Sequence, residues 1–233
     1  MRVLSAILLA AWAQIVPSPV RIPSAARVPT GAATRVPAFL QSNQSSTCDG
    51  GTSCSVAFSS SVTTGSSIFA LIDDNNAAVS GVTACGQPMS LTFASAAGTS
   101  ASGMRIWTVA NTTSIPCTVT VTSTAEYGTL SIIEASYLAH GSDGQHASSG
   151  TSQLPADSGV TTTAANDFGV FLVNGSNALG TTCSSPIGAT FRYAHDGLVA
   201  VLTAPIPAAG TVSLSCTLGY GDAWGARVTA LKQ

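Results

Sequence analysis

Cys117-Thr118-Val119-Thr120-Val121-Thr122 alternates β-branched apolar and polar residues with a period of two. Successive side chains of a strand point to opposite faces, so Cys117, Val119 and Val121 share one side and the threonines the other. A second stretch repeats the pattern, with Val212, Leu214, Cys216 and Leu218 on one face. Both cysteines are therefore expected to face a core.

The rest of the chain is similar in kind. No window sustains apolar residues at helical spacing, and long helix-forming side chains are few. Runs of four to eight β-branched and aromatic residues lie between Gly, Ser, Asn and Pro. They predict strands near 37–42, 54–59, 67–73, 78–84, 89–94, 104–110, 117–123, 129–137, 168–173, 188–194, 197–203, 211–218 and 224–231. The fold class that follows is all-β: a two-sheet antiparallel β-sandwich, jelly-roll-like, of about a dozen strands.

The two cysteine strands belong to a longer recurrence at about 98 residues. Val62-Thr63-Thr64 returns as Val160-Thr161-Thr162, and the run from Cys85 to Phe93 returns, loosely, from Cys183 to Phe191. Asn76 and Thr83 match Asn174 and Thr181, and one residue of drift aligns Cys117 with Cys216. A period this long is no solenoid and predicts two similar β units packed together.

Arg2, the apolar run from Val3 to Ala13 and the small-x-small site Ala11-Trp12-Ala13 read as a secretory signal peptide over 1–13, cleaved before Gln14. Residues 14–36, with four prolines and three arginines among small residues, read as a linker or pro-segment. Residues 37–233 are then expected to form a single β-sandwich domain, with no membrane span in the mature chain. No Leu-x-x-Cys lipobox precedes Cys48.

An exported chain meets an oxidising compartment, so six cysteines predict three disulfides. The repeat narrows fifteen connectivities: Cys85 with Cys117 and Cys183 with Cys216 span similar lengths, and Cys48 with Cys54 clips an Asp-Gly-Gly turn. The spacing is wrong for zinc, which wants paired Cys-x-x-Cys or nearby histidines.

Only 8% of residues are charged and Lys232 is the one lysine. From Ser42 onward four basic residues accompany ten carboxylates, too few to neutralise a phosphate backbone, so no nucleic-acid partner is expected. Sparse charge also weakens repulsion between copies, which leaves an extracellular glycan or other copies of the chain as candidate partners. Glycosylation sequons stand at Asn43, Asn111 and Asn174.

Residues that could carry chemistry are scattered. Glu126 and Glu134, if on one strand, lie up to roughly 26 Å apart, beyond the ~5–9.5 Å a glycosidase needs; Glu134 reads better as a strand residue whose carboxylate is hydrogen-bonded or reaches solvent at a sheet edge. His140, Asp143 and His146 share a loop-like stretch that fits no strong metal signature. His195-Asp196-Gly197 reads as a two-residue hairpin turn, and no Gly-x-Ser-x-Gly elbow nominates a nucleophile. Asp73 and Asp74, with Asn75 and Asn76, are weak calcium candidates lacking the usual ligand frame. Trp107, Trp224, Tyr127 and Tyr220 are possible ligand-binding residues, as a sugar-stacking platform, provided they are exposed. No cofactor is expected.

Ala38-Phe39-Leu40-Gln41-Ser42, the Cys117–Thr122 run, Ile132-Ile133-Glu134-Ala135-Ser136, the stretch Val160–Asp167 and the closing Trp224–Lys232 together resemble secreted β-sandwich modules of bacterial cell-surface proteins. The resemblance implies an exported sandwich and no particular activity. The expected function is a non-enzymatic, disulfide-bonded extracellular structural or adhesive protein, with a carbohydrate-binding module and a glycan-active enzyme as alternatives.

Overall fold

The Thr/Val alternation after Cys117 forms a strand, and its neighbours do likewise throughout the chain. A computed structural model describes residues 36–45, 48, 52–73, 79–94, 104–111, 113–124, 129–136, 138, 141–175, 182–185, 187–195 and 199–233. The expected signal peptide and all of the 14–36 segment but Val36 lie outside these residues.

In the first half the strands are β1 (Ala38–Ser45), β2 (Ser53–Ala57), β3 (Ser66–Asp73), β4 (Val79–Ala84), β5 (Gln87–Pro88), β6 (Ser90–Ala94), β7 (Met104–Ala110), β8 (Thr118–Ser123) and β9 (Thr129–Ser136). In the second half they are β10 (Ser142–Ser152), β11 (Ala156–Thr161), β12 (Asp167–Gly175), β13 (Thr182–Ser184), β14 (Thr190–His195), β15 (Val199–Ile206), β16 (Thr211–Thr217) and β17 (Asp222–Leu231). Among the described residues there is no helix.

All pairing is antiparallel. The first half forms a five-stranded sheet, β1-β9-β3-β7-β6, and a four-stranded sheet, β2-β8-β4-β5. The second half forms a five-stranded sheet, β10-β17-β12-β15-β14, and a three-stranded sheet, β11-β16-β13. Taken in order, β10 stands where β1 stands, β17 where β9 does, and so on across both sheets. The antiparallel sandwich expected from the alternation is present, but with two pairs of sheets where one was expected.

Burial explains the extra pair. Ile68, Ala70 and Ile72 of β3 face Val56, Val82, Val119 and Val121 of the four-stranded sheet. Phe69 and Leu71, on the opposite face of β3, pack with Phe168, Val170 and Leu172 of β12. The other face of β12, through Phe171 and Val173, meets Val212, Leu214 and Cys216 of β16. The five-stranded sheets thus lie back to back and are buried on both faces, which is why β3 and β12 are continuous apolar runs while β8 and β16 alternate.

Four strands escape the sequence reading: β5, β10, β11 and β13. The stretch expected to be a loop around His146 is in fact β10, whose sequence Ser-Asp-Gly-Gln-His-Ala-Ser-Ser-Gly-Thr-Ser has almost no apolar content. It is a strand because its backbone pairs with β17 from Ser142↔Leu231 to Ser152↔Asp222. His195, the last residue of β14, pairs with Val199, the first of β15, and the turn expected at Asp196-Gly197 lies outside the described residues.

The disulfides are Cys48–Cys54, Cys85–Cys117 and Cys183–Cys216, the pairings expected from the repeat. Cys183 and Cys216 are directly opposed on β13 and β16. The Cys85–Cys117 bridge ties the turn after β4 to the entry of β8 in the matching sheet.

Candidate functional site

Glu134 sits on the inner β9, opposite Gln41 on one side and Ile68 on the other. It is 0% exposed. Its carboxylate accepts hydrogen bonds from Gln41 Nε2 at 2.7 Å and from the Thr63 amide at 2.5 Å. A buried carboxylate with two donors holds the turn into β3, which is the hydrogen-bonded structural role expected of it. Glu126 lies outside the described residues.

The second half solves the same problem with a different side chain. Asp143, at the start of β10, accepts from the Thr163 amide (2.5 Å), the Thr163 hydroxyl (2.6 Å) and the Ala164 amide (3.0 Å). These donors, the Thr163 hydroxyl foremost, hold its carboxyl far below the usual carboxylate range. Lys232 Nζ lies 3.8 Å from Asp143 Oδ1. Asp167, which opens β12, is buried beside this carboxylate, and neither of its oxygens meets a donor in full hydrogen-bonding geometry. Burial first, and then the neighbouring Asp143, push the Asp167 carboxyl up to about 6; the Gln233 backbone and Lys232 oppose the rise. A proton on Asp167 turns two adjacent acceptors into a donor and an acceptor.

Asp143 and His146 do not converge on one site. Three residues apart on one strand, they point to opposite faces: His146 Nδ1 lies 2.7 Å from Asp157 Oδ1, on β11. Asp157 is buried, and the same oxygen accepts the Gly159 amide at 2.7 Å. That contact closes a bulge between Asp157 and Val160, where Gly159 takes φ +92° with Val212 carbonyl against it. The imidazole, half-exposed, seals the seam between the two sheets of the second half. His140 lies outside the described residues, and of His195 only its pairing is described. Among the described residues no three His, Cys, Asp or Glu side chains gather as a metal site. Asp74 to Asn76 fall outside the described residues, and Asp73 marks the end of β3.

Of the aromatic residues considered for a platform, burial removes Trp224. Trp224 is 8% exposed, belongs to the core between β12 and β16, and donates its indole N–H to Ser152 Oγ at 3.0 Å. Trp107 packs, partly buried, against the first-half core with its indole nitrogen enclosed. Tyr220 is 64% exposed, and Tyr127 lies outside the described residues. The tryptophans fill two separate cores because a flat ring removes more apolar surface from water there than on a sheet face.

Two arginines at the junction of the five-stranded sheets were not singled out in the sequence. Arg227 of β17 is 1% exposed, its guanidinium carbon 3.2 Å from the Phe93 ring centroid, and Nη1 donates to the Met104 carbonyl at 3.2 Å. Burial holds it below its usual value, at about 10, with Asp157 opposing. Arg192 of β14 lies 3.5 Å over Phe39 and donates from Nε to Thr203 Oγ1 at 2.7 Å. Beside it runs a groove of about 400 Å³ between the start of β1 and the β12, β14 and β15 strands, lined by Pro37, Phe39, Phe168 and Pro205.

Two of the three sequons are engaged inside the fold. Asn111 is buried and donates to the Thr63 and Thr113 carbonyls, and Asn174 is buried, while Asn43 is exposed on β1. The sequence matches no protein-family model, no curated protein and no solved structure.

Proposed function

We propose that this chain is an exported structural or adhesive module of a bacterial cell surface. The observation that carries the reading is the set of three disulfides in an all-β body, the signature of a protein that matures in an oxidising, extracellular setting. No helix among the described residues is long and apolar enough to cross a membrane. The resemblance of the Ile132–Ser136 and Trp224–Lys232 stretches to cell-surface sandwich modules supports the same reading. The matching strand orders of the two sheet pairs support the 98-residue recurrence as a duplication of one β unit.

The polar groups of the interior favour a structural role. Glu134, Asp143 and Asp157 each hold backbone amides at a turn or bulge, so their charge is engaged in fixing the fold. Burial takes Trp224 out of a sugar platform, and enclosure takes Glu134 out of the candidates for a glycosidase acid.

The test is to locate the protein and assay it in one preparation. Protease treatment of intact producing cells should remove it, and the purified chain should carry no free thiol. A reduced cytosolic protein would overturn the reading. So would turnover on a glycan, ester or peptide panel that is lost in a folded Glu134→Gln or His146→Ala variant.

A further inference from the structure

The strand β10 is attached differently from every other long strand of its sheet. Ala147 is its only apolar side chain other than glycine, so it contributes little to any core. Its two glycines let it lie closer to the fold than side chains would permit: a Cβ at Gly144 would run into the Val160 side chain, and one at Gly150 would approach the Trp224 ring to 2.8 Å. Beyond its ladder to β17, what fastens it is polar. Asp143 reaches Thr163, Ala164, Lys232 and Asp167; His146 reaches Asp157; Ser152 accepts from Trp224.

We propose that β10 is an acid-latched strap, clamped at one end by the Asp143–Asp167 carboxyl pair, which loosens from β17 as that pair loses its proton. The geometry sets the direction. With a proton on Asp167, the pair is one donor and one acceptor; without it, two carboxylates stand side by side, offset by Lys232, the Gln233 backbone and the Thr163 and Ala164 donors on Asp143. At its middle the strap carries a further polar contact, His146 Nδ1 at 2.7 Å from Asp157 Oδ1. Release exposes the ladder groups of β17, the edge a strand from elsewhere would need.

Amide hydrogen exchange of the intact protein at pH 5 and pH 8, corrected for intrinsic exchange, tests the proposal. Opening of Gln145–Thr151 should rise several-fold, up to roughly tenfold, between the two pH values, while the β3 and β9 amides hold steady. Asp167→Asn should flatten most of that response. Should that variant not fold, Lys232→Met at the half-exposed lysine should steepen the response by removing the offsetting cation. Equal β10 opening at both pH values, a full response surviving in Asp167→Asn, or an unchanged one in Lys232→Met would overturn the strap.

Discussion

Arg227 of the second half lies over the Phe93 ring of the first at 3.2 Å, fully enclosed between the two five-stranded sheets. A guanidinium taken out of water loses hydration that one carbonyl bond and one aromatic face only partly replace, and its Nε has no partner. The contact joins the halves and leaves that lost hydration only partly offset.

Removing that charge should therefore depend on what fills its space. Arg227→Ala should lower unfolding free energy by about 2–4 kcal/mol, through the cavity it leaves. Arg227→Met, which keeps volume, should be near neutral or stabilising. Urea denaturation of the two variants against the parent checks the contrast.

The stability of the chain should fall as pH rises from the ordinary carboxylate range through about 6. Asp167 has its folded carboxyl raised to about 6, so its contribution is fully present below the ordinary carboxylate range and is lost as pH climbs through that value. Asp143, held low, acts oppositely: its contribution persists at neutral pH and is lost only in strong acid. Melting curves from pH 4 to 8 should show the parent losing ground to Asp167→Asn as pH increases.

Glu134 should prove structural when replaced. Glu134→Ala leaves the Thr63 amide without its acceptor and removes the shortest of the Gln41 Nε2 hydrogen bonds, and should cost about 2–4 kcal/mol. Glu134→Gln preserves the acceptor toward Thr63 and should cost roughly half as much. Thermal denaturation measures both.

Each longer disulfide should contribute more than the short clip. Replacing Cys183 and Cys216 by serine should cost about 3–4 kcal/mol, against about 2 kcal/mol for Cys48 and Cys54, because loop entropy grows with the residues enclosed. Mass spectrometry of unreduced peptides should find all three linkages and no alkylated cysteine.

Trp224 should behave as a core residue rather than a ligand contact. Trp224→Ala should destabilise by about 3–5 kcal/mol, and Gly150→Ala by about 1–3 kcal/mol because its Cβ meets the indole ring. Chemical denaturation of each checks the pair.

The alternation at Thr118–Ser123 and Thr211–Thr217 was enough to read strands, their buried faces and, with the cysteine spacing of the two halves, the disulfide pairing. These are local properties, carried by side-chain period and sequence separation. The back-to-back packing was also written in the chain, in the unbroken apolar runs of β3 and β12, although a run buried on both faces does not name the sheet that covers it. β10 was illegible because nothing in Ser142–Ser152 favours a strand over a loop; its conformation comes from the β17 ladder and from two glycines beneath Val160 and Trp224. The partnerships of Asp143 with Asp167, His146 with Asp157 and Arg227 with Phe93 were decided by tertiary structure alone. Burial and proximity across strands set the charge state of a side chain, and neither has a signature in the order of residues along the chain.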